Sequence, residues 1–513
     1  MRRAMAHAPR LAIACALAAA MAASLLLRTG LMDAGYWIDE AISVGIASHD
    51  LGDIPRVLRQ DGSPPLYYLL LHGWMQVAGP GEAATRLLSL VFAVVAVPVA
   101  WWAGRAVFDA RAGALAAAGA AGCPFLTYYG QETRMYSLVV VLSLLAAACF
   151  ALAFVRGRRR FLWPLGATLV LLLYTHTWAP FLACGMGVAW VWLWRAGRVP
   201  GRDGALVGAA VLAAWAPWVP SLLFQASNTA APWSSRPALY WLLGVPGALF
   251  GYAASALLLA AVVTAVRRRP PRDEAVRALL LVALAGAALA WLGSQIEPAW
   301  SPRYLAVLFG PLLLVLAATV RSGTRWTAAA LVAVAAVWLA CAPAPVKSNA
   351  RSVAAGAAPA IRPGDLVIST QPEQVPVLHR YLPRGVVYLT PLGVVPDPGV
   401  VDWRHGLARL RAGRAARVLE PLLARRPPGS RILLVTPAGR RSSFEGAWTR
   451  AVRRRTREWR AALRADPRLR ALGRARRPAS PRGPAAPAPR AAPSPRGRSP
   501  IRAELFEVRR HAA

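Results

Sequence analysis

Residues 123–160, CPFLTYYGQETRMYSLVVVLSLLAAACFALAFVRGRRR, join three textures in one stretch. An aromatic segment carrying Glu132 and Arg134 leads into an uncharged apolar run over 135–155, which stops at Arg156, Arg158, Arg159 and Arg160. A run of about 20 apolar residues is what a helix needs to cross about 30 Å of hydrocarbon. Short loops rich in arginine stay on the cytoplasmic side, so RGRRR marks the inner end and the acid-bearing aromatic end faces outward.

The pattern repeats. A chain of 513 residues that is 56% hydrophobic and only 16% charged has the composition of a membrane protein. Apolar windows fall at about 11–27, 83–107, 111–129, 135–155, 161–178, 180–195, 204–224, 238–266, 276–294, 304–320 and 326–343, which predicts about eleven transmembrane helices. Alternate connections carry MRRAMAHAPR, GRAVFDAR, RGRRR, RAGRVPGRD, RRRPPRDEAVR and RSGTR, and these are assigned inward. The amino terminus is then cytoplasmic, the 28–82 loop lies outside, and everything after 343 is extracytoplasmic, in a multi-pass plasma (inner) membrane protein. LAIACALAAAMAAS also has the texture of a cleaved signal peptide, but a retained signal-anchor delivers the next segment outside equally well.

Residues 345–513 hold 34 of the 60 basic groups and 10 of the 23 acids, so much of the net charge of +37 is assigned outside the cell. Such a surface could touch anionic head groups or an acidic polymer, but a plain solubilising role is the favoured reading. Cys15, Cys123, Cys149, Cys184 and Cys341 lie in or at the ends of the spans without C-x-x-C spacing, so they read as small packing residues.

Past residue 344 the strand-like runs DLVIST, GVVYLT and RILLVTP alternate with helix-like EQVPVLHRYL and ARVLEPLLARR, which predicts a small α/β domain. The expected partition is 1–344 membrane domain, 345–470 extracytoplasmic α/β domain with basic helices, 471–500 disordered Pro/Ala/Arg-rich segment, and 501–513 a strand returning to the sheet plus a tail.

Of the 13 acids before residue 345, nine (Asp33, Asp39, Glu40, Asp50, Asp53, Asp61, Glu82, Glu132 and Glu297) fall on the outer side in this topology. Ile38, Ile42 and Ile46 recur at helical spacing in GYWIDEAISVGIASHD, giving an amphipathic helix along the membrane surface with Asp39 and Ser43 on another face. The plain structural reading is that Asp39 caps this helix, with Glu40 favoured by the helix dipole. QDGSPPLYYLLLHGW continues the loop as an aromatic segment too short to span. Arg134 is a phosphate ligand or a snorkelling arginine, and Arg86 reads as snorkelling or ion-paired. His176, at an outer membrane end, faces the site or is an interfacial histidine bonded to its surroundings. Outward acids with arginines at a lipid surface suit transfer of a sugar from a lipid phosphate, where a carboxylate takes the acceptor's proton and cations steady the leaving phosphate.

The strings WIDEAISVGIA, SPPLYYLLLHGW, EAATRLLSLVFA, FLTYYGQETRMYSL and SPRYL, in this order over roughly 10–320, resemble the GT-C glycosyltransferases of the family 39 and aminoarabinose-transferase branch. The resemblance implies a polytopic enzyme using a polyprenyl-phosphate sugar and an acceptor glycan, lipid or protein, among membrane lipids and without nucleic acid. It places the catalytic Asp-Glu pair on Asp39 and Glu40, with Asp39 as base, and a second acid on Glu132 that positions acceptor or metal. It places the late Arg-Tyr pair on Arg303 and Tyr304 near the phosphate. Asp61, Tyr129, Gln131, Arg134, Tyr136 and His176 complete the substrate-binding candidates. Members often carry His before the Pro-Pro pair, whereas Ser63 stands here with Asp61 two residues earlier. The residues single out no particular cofactor, and a divalent cation on Asp39 and Glu132 stays open. A transporter or flippase for a lipid-linked precursor, and a noncatalytic scaffold gripping an anionic polymer, are the competing classes. Without a phosphate-cradling glycine loop an ATP-driven pump is disfavoured.

Overall fold

A computed structural model describes residues 2–229, 231–268, 273–321, 323–340, 346–439, 446–474 and 500–509. The chain divides into two compact units: Met1–Met32, Ser63–Phe224 and Arg236–Ala344 form one, and Asp33–Gly62, Gln225–Ser235 and Pro345–Ala513 form the other. The linear partition at 344/345 misses that residues 33–62 and 225–235 group with the C-terminal part. Most of the 471–500 stretch lies outside the described residues, but its first residues belong to a strand, Leu469–Arg474, and not to a disordered segment.

The first unit is helical. Among the described residues, five helices are long and apolar enough to cross a membrane: Glu82–Val107, Tyr136–Val155, Gly201–Asn228, Glu274–Ile296 and Pro302–Val320. Leu239–Phe250 and Tyr252–Arg268 make a sixth if counted as one broken span, bent by 99°. The full count of eleven is thus not reached on length and apolarity. The run expected at 111–129 divides at Cys123 into Ala110–Gly122 and Pro124–Tyr129. Those expected at 161–178 and 180–195 become Leu162–Leu173 and Ala179–Arg195, of 12 and 17 residues. Hydropathy registers composition, whereas Pro124, which lacks an N–H, and Gly251 (φ +89°) interrupt the helical backbone.

Alanine and glycine let these helices approach closely. A Cβ on Gly310 would sit 2.2 Å from the Ser143 carbonyl oxygen, and one on Gly185 2.5 Å from that of Val282. At one end of the bundle Arg156 pairs with Asp273 at 2.9 Å, Arg321 with Asp109 at 3.0 Å, Arg159 with Asp203 at 2.6 Å and Arg198 with Glu274 at 3.2 Å. These four acids are the ones the topology assigned inward, and each is neutralised by an arginine. Arg28, fully buried, donates to the carbonyls of Ala93 (3.0 Å), Ala120 (2.7 Å) and Ala121 (2.9 Å) and to the Ser24 hydroxyl, tying the first helix to two others.

The second unit holds a six-stranded mixed sheet, in the order β3-β2-β1-β4-β6-β5. Its strands are β1 (Leu366–Ser369), β2 (Val387–Thr390), β3 (Gly393–Val394), β4 (Arg431–Pro437), β5 (Leu469–Arg474) and β6 (Ile501–Val508). β1 pairs parallel with β2 and β4, while β6 runs antiparallel between β4 and β5, and β5 is the edge strand on that side. Central strands buried on both faces read as continuous apolar runs, as LVIS and ILLV do. Leu366, Ile368, Ile432, Leu434, Trp459 and Phe506 make the core. The basic stretch is a single helix, Ala447–Ala465, with Trp448 and Trp459 buried beneath its arginines. LRALGR, which follows it, is β5.

Candidate functional site

Three separate parts of the first unit meet at one aromatic cluster. The segment between Pro124–Tyr129 and Tyr136–Val155 brings Glu132 and Arg134, the turn after Leu162–Leu173 brings His176, and the start of Pro302–Val320 brings Arg303 and Tyr304. Two of these helices, Tyr136–Val155 and Pro302–Val320, adjoin Arg156 and Arg321 at their far ends, so the cluster lies opposite the ion-paired loops. Ring centroids chain from Tyr129 to Tyr136 (4.7 Å), His176 (5.9 Å), Tyr304 (5.3 Å), Trp178 (5.4 Å) and Trp300 (5.4 Å).

Charge is laid along this wall. The Arg134 guanidinium lies 5.9 Å from the Tyr136 ring centre and donates to the Tyr68 hydroxyl at 3.3 Å, and Arg303 lies 5.6 Å from the Tyr304 ring. Both act electrostatically on His176, and Glu132, fully buried, and Arg303 both act on Tyr129. His176 Nδ1 accepts from the Trp178 N–H at 3.0 Å, so in the neutral ring Nε2 carries the proton and is the donor. Two guanidiniums, a carboxylate, an imidazole donor and aromatic surface can bind a phosphate ester beside an apolar chain.

Tyr129, Glu132, Arg134, Tyr136, His176, Arg303 and Tyr304 are therefore brought together. Gln131 is not: its Oε1 accepts from the Leu31 N–H at 2.8 Å and its Nε2 donates to the Thr127 carbonyl at 2.8 Å, so its amide braces backbone. Arg86, nearly fully buried, donates to the carbonyls of Leu31 and Met32 at 2.8 and 2.9 Å, a structural role.

Asp39, Glu40 and Asp61 belong to the second unit. The helix Ile38–Ala47 has Trp37 as its N-cap, so Asp39 does not cap it, and the buried Glu40 carboxylate accepts from the Trp37 N–H at 3.3 Å. Glu40 thus caps the helix, and Asp39 beside it is half-buried. Ile38, Ile42 and Ile46 are buried, and the helix packs on Val375–Tyr381 of the α/β domain, so its apolar face is covered by protein where a membrane surface was expected. Asp61 ends the helix Ile54–Asp61, followed by Gly62 with φ +93°.

A clasp holds the Asp39 helix. A Cβ on Gly45 would lie 1.9 Å from the Gly399 carbonyl oxygen, so only glycine permits the approach. His49 bonds the Gly45 carbonyl through Nδ1 at 3.0 Å and the Asp397 carboxylate through Nε2 at 2.8 Å, and Asp397 also accepts from the Gly399 N–H at 3.0 Å.

No family model matches the chain, and no curated protein sequence does. Solved structures do. ArnT from Cupriavidus metallidurans in the apo state aligns with a TM-score of 0.53 at 13% identity, over 84% of this chain and 97% of that one. The same protein bound to undecaprenyl phosphate gives 0.53 at 14%, over 83% and 93%. The archaeal oligosaccharyltransferase AglB from Archaeoglobus fulgidus, in complex with an inhibitory peptide and a dolichol-phosphate, gives 0.51 at 13%, over 82% and 69%. The chain shares the fold of these two proteins.

Glu373 is a residue that the sequence alone did not single out. It follows β1, is more than nine-tenths buried, and its Oε1 accepts from the Trp448 indole at 3.0 Å and the Gln371 amide at 2.9 Å. Burial, with the Asp39 charge adding to it, pushes its carboxyl up from the ordinary value. A lone Glu in TQPEQ carries no signal until the sheet order is known. Among the described residues no group of three or more His, Cys, Asp or Glu is placed to hold a metal ion. A divalent cation would need substrate oxygens and water among its ligands.

Proposed function

We propose that the chain is a membrane glycosyltransferase that moves a monosaccharide from a polyprenyl-phosphate donor to an acceptor hydroxyl on the extracytoplasmic face, within the eleven-span topology described above. The observation that carries this is the wall of Tyr129, Tyr136, His176 and Tyr304 with Arg134, Arg303 and Glu132 set into it, in a fold shared with a protein crystallised on undecaprenyl phosphate. The acceptor oxygen attacks the anomeric carbon from the face opposite the phosphate, its proton passes to Asp39, and the bond to the phosphate oxygen breaks. Both bonding electrons leave with the polyprenyl phosphate, and the configuration inverts. Arg303 and Arg134 steady the charge that collects on the departing phosphate, and Glu132 orients acceptor or cation. The sugar is mannose or another hexose or pentose.

The test uses full-length protein in lipid discs and a panel of radiolabelled polyprenyl-phosphate sugars, with Asp39→Asn and Glu132→Gln alongside wild type, with and without chelator. Loss of a proton acceptor in the transition state should cost about 10²–10⁴ in rate. Consumption of one donor by wild type and its loss in folded Asp39→Asn supports the transferase. Equal behaviour of all three proteins would sink it and leave the transporter or scaffold classes.

A further inference from the structure

β1 is the turning point of the sheet. The chain leaves it through helix Val375–Tyr381 towards β2 on one side, whereas β4 joins it on the other, and all three strands are parallel. Where connections from neighbouring parallel strands part in opposite directions, a crevice opens beyond their carboxyl ends, and ligands of open α/β sheets bind there. The segment at that place is TQPEQ, residues 370–374.

Its polar groups are unevenly satisfied. Thr370 shares a hydrogen bond with Thr456 at 2.8 Å, and Glu373 Oε1 holds the two donors already described. The other carboxyl oxygen, Oε2, has no hydrogen-bond partner among the described residues, and neither has Oε1 or Nε2 of Gln374, which is 1% exposed. Buried polar groups are nearly always bonded, and leaving two adjacent side chains unmatched at the switch point is a cost that a bound molecule removes. Asp39 acts electrostatically on Glu373, which places the unmatched groups near the carboxylate assigned as base.

We propose that Glu373 and Gln374 form a subsite for a sugar residue of the acceptor, bonding the hydroxyls beside the one that Asp39 activates. The proposal rests on Asp39 as the base and names the acceptor as a glycan. An amide both donates and accepts and a carboxyl oxygen accepts, so the pair can meet vicinal hydroxyls, which do both. With Oε1 clamped by Trp448 and Gln371, Oε2 is fixed in place before the ligand arrives. A serine or threonine side chain offers one hydroxyl and an acyl chain none, so neither matches both groups.

The test measures binding of a panel of methyl glycosides of hexoses and pentoses to the full chain in lipid discs, by saturation-transfer NMR with titration. The variants are Gln374→Leu, Glu373→Leu and Asp39→Asn, each with a thermal unfolding midpoint. At least one glycoside should bind wild type, and Gln374→Leu should weaken it about tenfold or more. Gln374→Leu should also match or exceed wild type in midpoint, because an unmatched amide is replaced by an apolar group of similar size. A merely structural glutamine would lower the midpoint instead. Asp39→Asn should bind the glycoside as wild type does. The subsite is overturned if no glycoside binds, if Gln374→Leu binds as wild type, or if a serine-containing peptide binds in the glycosides' place. Wild-type transfer by Asp39→Asn would instead refute the assigned base while leaving the binding result intact. Should Glu373→Leu fail to fold, Gln374→Leu carries the test alone.

Discussion

Gly45→Ala is the sharpest perturbation of the helix that carries the proposed base, Asp39, and it leaves every charged group in place. The new methyl would sit 1.9 Å from the Gly399 carbonyl oxygen, and ordinary contact begins near 3.4 Å, so helix and loop must part by about 1.5 Å. The helix Ile38–Ala47 is short and braced at both ends, by the Glu40 cap and by His49 on Asp397, so the shift is transmitted to Asp39. A misplacement of about 1 Å at a reacting group costs on the order of 10² in rate. Overpacking at a close backbone contact costs about 1–3 kcal/mol in stability. We therefore expect kcat for donor consumption to fall about a hundredfold in lipid discs at unchanged donor affinity. Amide exchange across residues 38–48 should quicken. If Gly45→Ala keeps kcat within about threefold of wild type with unaltered exchange, the glycine pair does not set the position of Asp39.

Glu40→Ala should act mainly on stability, losing about 1 kcal/mol with the cap, and should impair turnover far less than Asp39→Asn, as thermal unfolding and kinetics on the same samples would show. Trp459→Ala removes a fully buried ring whose indole donates to the Gly413 carbonyl at 3.0 Å, so it should cost about 3–5 kcal/mol, read in denaturant titration. The Asp466 carboxyl is held below its ordinary range by hydrogen bonds from Arg468, although burial opposes them. A depressed acid contributes stability above its unfolded pKa of about 3.9 and loses it as pH falls through the folded value, so Asp466→Asn should flatten the acid limb of the stability curve below about pH 4. Glu373 is raised, so its contribution is complete below about pH 4.3 and is lost as pH rises through the folded value. Glu373→Gln should remove that loss and leave the protein at least as stable as wild type at neutral pH.

Membrane residence was legible from composition and from runs such as 135–155, because a bilayer demands an apolar length whatever the neighbours do. The strands at 366–369, 387–390 and 431–437 were legible too, since β-branched runs bounded by turn residues specify extended backbone locally. Glu132, Arg134, Arg303 and Tyr304 stood out as candidates because acids and arginines beside apolar spans differ from the rest, and the fold brings Arg134, Arg303 and Tyr304 to one aromatic wall. What the sequence could not decide was which of these groups face chemistry and which brace the fold. Gln131 and Arg86 serve backbone carbonyls and amides, Glu40 serves a helix end, and residues 33–62 join a domain that begins some 300 positions later. The Glu40 cap is local, but the bonds of Gln131 and Arg86 to Leu31 and Met32 and the grouping of residues 33–62 depend on partners distant in sequence, and a guanidinium looks the same in a string whichever partner it finds. Glu373 shows this most plainly: only the order of β2, β1 and β4 puts TQPEQ at a switch point, because pairing between remote strands is settled when they pack together.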